Sequence, residues 1–134
     1  MTISNRSSLV SFDVDSAVAV LKDVAGDSVH LCVEYDTEDF NALYVDQLTL
    51  DLYDSEREMV DHFEEVLSYV HVDFMEKDLF EEVFRDAGGV RSFATFMDHV
   101  TLVRMLVGEE GLFFTVDPDS DVTALVETVE DAIE

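Results

Sequence analysis

The sequence predicts an α+β fold: a single five-stranded antiparallel sheet with helices packed on it, in the order α-β-β-α-(α)-β-β-β-α. Three observations lead there. Val90 to Asp117 is mostly apolar, rich in Val, Thr and Phe, and broken by Gly108-Glu109-Glu110-Gly111, so it reads as three consecutive strands at about 90–98, 100–107 and 112–116. Val29, Leu31, Val33 and Tyr35 alternate with His30, Cys32, Glu34 and Asp36, the period of two of a half-buried strand. Met59, Phe63, Val66, Leu67 and Val70 recur at helical spacing and predict the main cover for the sheet.

In chain order, residues 1–11 show no periodicity and read as a flexible leader, which leaves 12–134 as a single α+β domain. Asp13 can cap a helix at about 14–25, with Phe12 and Ala17 at the hydrophobic-staple positions. The inward face of that helix is Val14, Ala17, Val18, Leu21, Val24 and Ala25; Gly26 stops it, because glycine enters the left-handed region at little cost. Asp36-Thr37-Glu38-Asp39 turns the first strand into a second, Phe40–Gln47. Phe40, Ala42 and Tyr44 on one side of it and Leu43 and Val45 on the other place it inside the sheet or against something on its second face.

Leu48–Tyr53 is a connector, and Ser55 and Glu58 have capping-box spacing at the start of the helix expected over 56–70. A shorter helix at about 75–86 is expected to turn Leu79, Phe80, Val83 and Phe84 inward and to end at Gly88-Gly89. If the first turn of the meander falls at Asp98-His99, Arg91 faces the neighbourhood of Leu106 and Arg104 faces Phe93. Asp117 reads as the cap of the closing helix and Pro118 as its first residue, where a missing N–H breaks no hydrogen bond. Val122, Leu125, Val126, Val129 and Ile133 form its apolar stripe.

Thirty-two Asp and Glu oppose seven Lys and Arg, a formal net charge of −25, yet 48% of the residues are hydrophobic. Disordered acidic chains lack such an apolar share. An acidic coat over an ordinary core is the pattern expected in a salt-rich cytoplasm, where the Debye length falls to about 3 Å at 1 M and carboxylate repulsion is screened. In dilute buffer the same repulsion works against the compact state. The denaturation midpoint is therefore expected to rise markedly between about 0.1 M and about 2 M KCl, and a midpoint that ignores salt would contradict the halophilic reading. Structural ions from high salt are compatible with this surface.

The acids are spread along the chain rather than blocked, which disfavours nucleic-acid mimicry, and no basic stripe supports nucleic-acid binding. No apolar run approaches the roughly 20 residues of a membrane span. Met1–Val10 lacks the basic and apolar segments of a signal peptide, so a cytoplasmic location is expected, with neither nucleic acid nor membrane as partner.

Residues that could carry chemistry are few. Gly88-Gly89 lacks the spacing of a phosphate loop, and Gly108–Gly111 carries two acids that would repel phosphate. Cys32 is the one cysteine and reads as a strand residue on the sheet's second face. His62, His71 and Asp73 are the nearest thing to a metal cluster, with His30 and His99 elsewhere, but no His-x-x-x-His or Cys-x-x-Cys pair anchors them. Asp117 to Asp121 clusters three acids without the glycine and closing Glu of an EF-hand loop. No carboxylate pair is marked as catalytic. The expectation is a non-enzymatic chain with no catalytic residue, cofactor or metal.

The order of elements resembles the roadblock/longin-like arrangement, a five-stranded antiparallel sheet of order two-one-five-four-three. The chain is also similar to small acidic haloarchaeal proteins of this profilin-like outline. The Val33-x-Tyr35-Asp36 strand, Tyr44-Val45 and the FFTVDPD stretch at Phe113–Asp119 carry the resemblance, which covers about residues 12–133. The segment at 75–86 departs from the minimal pattern. The resemblance implies a dimerisation or regulatory platform, or a partner- or ligand-binding module, and brings no catalytic residues.

Helices on one face would leave apolar residues on the second: Cys32, Leu43, Val45, Phe93, Met97, Val103, Met105 and Val107. Phe93, Met97, Val103, Met105 and Val107, with Arg91 and Arg104, are accordingly expected to form an interaction surface for a second copy or another protein. Each arginine has a second reading, a local ion pair with Asp or Glu. On the dimer reading, Val103→Asp gives a folded monomer; cover of that face by a terminal helix is the competing arrangement. A pocket between the sheet and helix 56–70, lined by Tyr or His, would instead point to a small-ligand sensor.

Overall fold

Alternating apolar side chains build a six-stranded antiparallel sheet in the computed structural model, which describes residues 3–70 and 72–133. The strands are β1 (Ile3–Ser4), β2 (Val29–Asp36), β3 (Phe40–Val45), β4 (Ser92–Phe96), β5 (Thr101–Val107) and β6 (Glu110–Val116), in the spatial order β1-β3-β2-β6-β5-β4. The five expected strands occur in the expected order. The count of five is corrected by β1, whose Ile3 lies opposite Val45 on the outer edge of β3. The register of the meander follows the turn at Asp98-His99: Phe93 pairs with Arg104, and Leu106 N–H donates to the Arg91 carbonyl at 3.0 Å.

The helices that accompany this sheet are α1 (Val14–Ala25), α2 (Gln47–Leu50), α3 (Glu56–Val70), α4 (Val72–Val83) and α5 (Val122–Ile133). Asp13 caps α1 by accepting from Ser16 N–H at 3.1 Å, and Gly26 stops it at φ +54°. Ser55 Oγ accepts from Glu58 N–H at 3.1 Å, one half of the expected capping box. The closing helix departs from expectation. Its cap is Asp121, which accepts from Ala124 N–H at 3.1 Å, while Asp117 is held by His30. The β5–β6 turn is only Gly108-Glu109, with Gly108 at φ +63°, so Gly111 falls inside a strand. A methyl group on Gly111 would come within 2.5 Å of the Tyr35 ring, which explains the glycine there.

Both faces of the sheet are covered from within the chain. On one, Cys32, Leu43, Val103, Met105, Leu112 and Phe114 pack with Val14, Ala17 and Leu21 of α1 and Leu125, Val126 and Val129 of α5. On the other, Leu31, Val33, Tyr35, Val45, Leu106 and Phe113 pack with Met59 and Phe63 of α3 and Phe74 of α4. The expected single patch is thereby corrected. Val103 and Met105 point into the first core, and Phe93 joins the second. The cause is topological, since the terminal helices α1 and α5 cover one face while α3 covers the other.

Residues 3–11, expected as a flexible leader, are tied down. Buried Glu34 accepts from Ser7 Oγ (2.8 Å), Ser8 N–H (2.9 Å), Leu9 N–H (3.2 Å), Val10 N–H (3.0 Å) and Asn41 Nδ2 (2.7 Å). Glu110 holds the next residue through Ser11 N–H and Oγ. Met1 and Thr2 of the leader lie outside the described residues, as does His71 of the expected histidine grouping.

Candidate functional site

Helix α4 is inverted relative to its hydrophobicity. It buries Asp73 and Phe74 and half-buries Lys77 and Glu81, a stripe spaced for one helix face. Met75 (69% exposed), Leu79 (55%), Val83 (61%) and Phe84 (58%), expected in part to face inward, lie on the outside. Polar anchoring accounts for the orientation. Arg104 Nη1 donates to Asp73 Oδ1 at 2.7 Å, Glu81 accepts from Val90 N–H at 2.8 Å, and Lys77 pairs with Glu81 at 3.4 Å. Burial pushes the Asp73 carboxyl up to about 6, against the pull of the Arg104 guanidinium beside it. Tyr35 OH lies 3.4 Å from the same carboxylate, and burial raises its pKa.

Next to α4 runs β4, an outer strand of the sheet whose partner among the described residues is β5. Ala94, Thr95 and Phe96 of this outer strand are exposed. Phe80 joins the two elements, its ring centroid 6.1 Å from that of Phe93.

The residues expected to form one interaction surface are dispersed. Phe93 lies beneath the Arg104 guanidinium, 5.3 Å from its ring centroid. Met97 stands at a cavity wall, and Val107 ends β5 partly exposed. Val103 and Met105 are core. Arg91 pairs with Glu130 of α5 at 2.9 Å, so both arginines take their local ion-pair reading. The outward stripe of α4 escapes a reading by hydrophobicity, because Phe80 and Phe84 look like core. The signal that could find it is Asp73, Lys77 and Glu81 at one-turn spacing, opposite a strand carrying a lone Arg104.

A second feature is a cavity of about 560 Å³ between α3 and the sheet. Leu31, Leu102 and Phe113 form its sheet wall and Phe63 and Val66 its helix wall. Leu48 and Leu52 stand at the exposed rim. Tyr53, His62 and His99 contribute polar groups, and Tyr53 OH is hydrogen-bonded to His62 Nδ1 at 2.5 Å.

His30 also borders the cavity, but its ring is fully engaged: Nδ1 meets Asp46 at 2.5 Å and Nε2 meets Asp117 at 2.6 Å. Two carboxylate acceptors require two N–H donors, the imidazolium form. Burial opposes that charge, but the hydrogen bonds to Asp117 and Asp46 outweigh it and raise the His30 pKa. Among the described residues no cluster of His, Cys, Asp and Glu could hold a metal ion, and His62 and Asp73 do not form one. Burial pushes the Cys32 thiol up to about 12, which keeps it protonated and unreactive. Among the same residues no helix is long and apolar enough to cross a membrane.

Comparison with known proteins adds a family and a fold. A family model described as "Domain of unknown function (DUF7522)" matches residues 15–134. No curated protein sequence matches the chain. The structure is similar to that of a roadblock/LC7 domain from Streptomyces avermitilis, with 13% identity, 86% of this chain and 87% of that one covered, and a TM-score of 0.57. It is also similar to the gliding protein mglB from Thermus thermophilus, with 13% identity, coverages of 97% and 93%, and a TM-score of 0.51. At such identity the likeness speaks for the fold.

Proposed function

This chain belongs to the DUF7522 family and has a roadblock/LC7-type fold, and we propose that it is a non-enzymatic protein-interaction or regulatory domain that self-associates through α4 and β4. The observation that carries this reading is the outward apolar stripe of α4. In a chain of net charge −25, solvent-facing positions go to acids, yet here Met75, Leu79 and Val83 share one face of α4, and Phe84 just past its end is exposed as well. Contiguous apolar surface of this kind marks interaction sites in soluble proteins. A two-fold axis beside β4 would let two α4 stripes cover each other and two open strand edges pair, leaving Glu76, Asp78 and Glu82 at a salt-screened rim.

The surroundings that suit such a rim are a salt-rich cytoplasm. The dimer is expected to be tighter at high salt, where carboxylates on the two copies repel least. Light scattering in molar KCl is expected to give a dimer for the wild type and a folded monomer for Leu79→Glu/Val83→Glu, with unchanged circular dichroism. A wild-type chain that stays monomeric at tens of micromolar would end the self-association reading.

A small-ligand sensor is the second reading, favoured by one observation. The cavity under α3 is bordered by Tyr53, His62 and His99, the residue types such a pocket would use.

A further inference from the structure

We infer that the cavity beneath α3 takes one small, uncharged, largely apolar molecule with a hydroxyl or carbonyl at one end, an inference that rests on the sensor reading. Its volume of about 560 Å³ falls in the range of small-molecule sites, about 300–1,000 Å³. The walls are aliphatic and aromatic from both layers, and the rim continues that character, with Leu48 67% and Leu52 75% exposed. Apart from the α4 stripe and scattered single side chains, the outer surface is rich in carboxylates, and an apolar concavity with apolar lips stands out against it.

Charge decides the class of ligand. Among the described residues, no Lys, Arg, Asp or Glu lines the cavity. The cationic group at its border, His30, is already matched by Asp46 and Asp117. An anion entering would lose its water without gaining a counter-charge, and a cation would find both nearby carboxylates engaged. A neutral molecule pays neither cost. Its polar end has a partner in the Tyr53–His62 pair. In the tautomer that accepts from Tyr53 at Nδ1, the His62 Nε2–H is a donor for a hydroxyl or carbonyl oxygen.

Two fluorescent probes with the same ring skeleton separate the possibilities: N-phenyl-1-naphthylamine, which is neutral, and 8-anilinonaphthalene-1-sulfonate, which adds one negative charge. Titrated into the full chain in molar KCl, the neutral probe is expected to saturate at one per chain and the sulfonate to bind about tenfold more weakly. Val66→Trp fills the cavity and is expected to abolish binding. Leu52→Lys, at the exposed rim where the core is undisturbed, is expected to shift the preference several-fold toward the sulfonate. Leu79→Glu/Val83→Glu, away from the cavity, is expected to bind like the wild type.

Failure of the neutral probe to saturate would overturn the sensor reading and the inference with it. Equal binding of both probes would leave a ligand site standing and overturn its uncharged character. A folded Val66→Trp chain that still binds, or a Leu52→Lys chain with an unchanged preference, would place the probe elsewhere and overturn the assignment. Binding that weakens as protein concentration rises would give the cavity to a second copy, with the same consequence.

Discussion

Val103→Asp is expected to unfold the chain rather than to split a dimer. Val103 is 0% exposed, in a central position of β5 between Ala94 of β4 and Phe114 of β6. Its side chain belongs to the core closed by α1 and α5. The substitution removes an apolar group whose burial contributes about 1.5–3 kcal/mol and installs a carboxylate. A buried carboxylate without a cation costs several kcal/mol more, either as charge or as the work of protonating it. The total is comparable to the whole stability of a domain, about 5–15 kcal/mol. Circular dichroism in molar KCl should show loss of the cooperative transition. A well-folded Val103→Asp monomer would mean that this face belongs to an interface between chains.

The second large effect is expected at Glu34. Its carboxylate is 0% exposed and gathers Ser7 Oγ, Asn41 Nδ2 and the N–H groups of Ser8, Leu9 and Val10. Glu34→Ala strands these donors, and at about 1–3 kcal/mol for each one left buried and unpaired, a net loss of about 3–5 kcal/mol is expected after relaxation. Because most of the donors belong to residues 7–10, the loss should appear first as release of that segment. Amide exchange of Ser8 and Val10 would then become as fast as in an unfolded chain, while β5 and β6 stay protected. Unprotected Ser8 and Val10 amides in the wild type would refute the account.

The same site has a pH signature. Burial raises the Glu34 pKa, but the hydrogen bonds from Asn41, Ser8, Val10 and Ser7 outweigh it, so the folded value lies below 4.5. A carboxylate depressed in the folded state contributes its stability in full above the unfolded pKa and loses it as pH falls through the folded one. The stability gap between wild type and Glu34→Gln should therefore be constant at neutral pH and close as pH drops below about 4.5. A gap that stays open in acid would count against an ionised Glu34.

Much of this fold is written locally. The period of two in Val29–Asp36, the helical spacing of Met59, Phe63 and Val66, the Asp13 cap and the turn at Asp98-His99 each depend on residues close in sequence. The chain therefore states five of its strands, their order and the register of its meander by itself, while the short β1 and α2 carry no such pattern. The acidic excess is legible for the same reason, since composition states it directly.

What a strand's two faces meet, and which stripe of a helix turns inward, is not local. Val103 and Phe93 alternate within similar apolar runs, and only the return of α1 and α5 over one face makes the first core rather than interface. Helix α4 carries two usable stripes. The one with fewer apolar groups faces in because Arg104, distant in sequence, and the Val90 N–H, past the helix end, offer partners that Asp73 and Glu81 take. Glu34 reads as a solvent-facing strand residue until backbone donors from Ser8 to Val10 close over it. In each case a buried polar group needs a partner, and partners separated by many residues are brought together only by the tertiary fold.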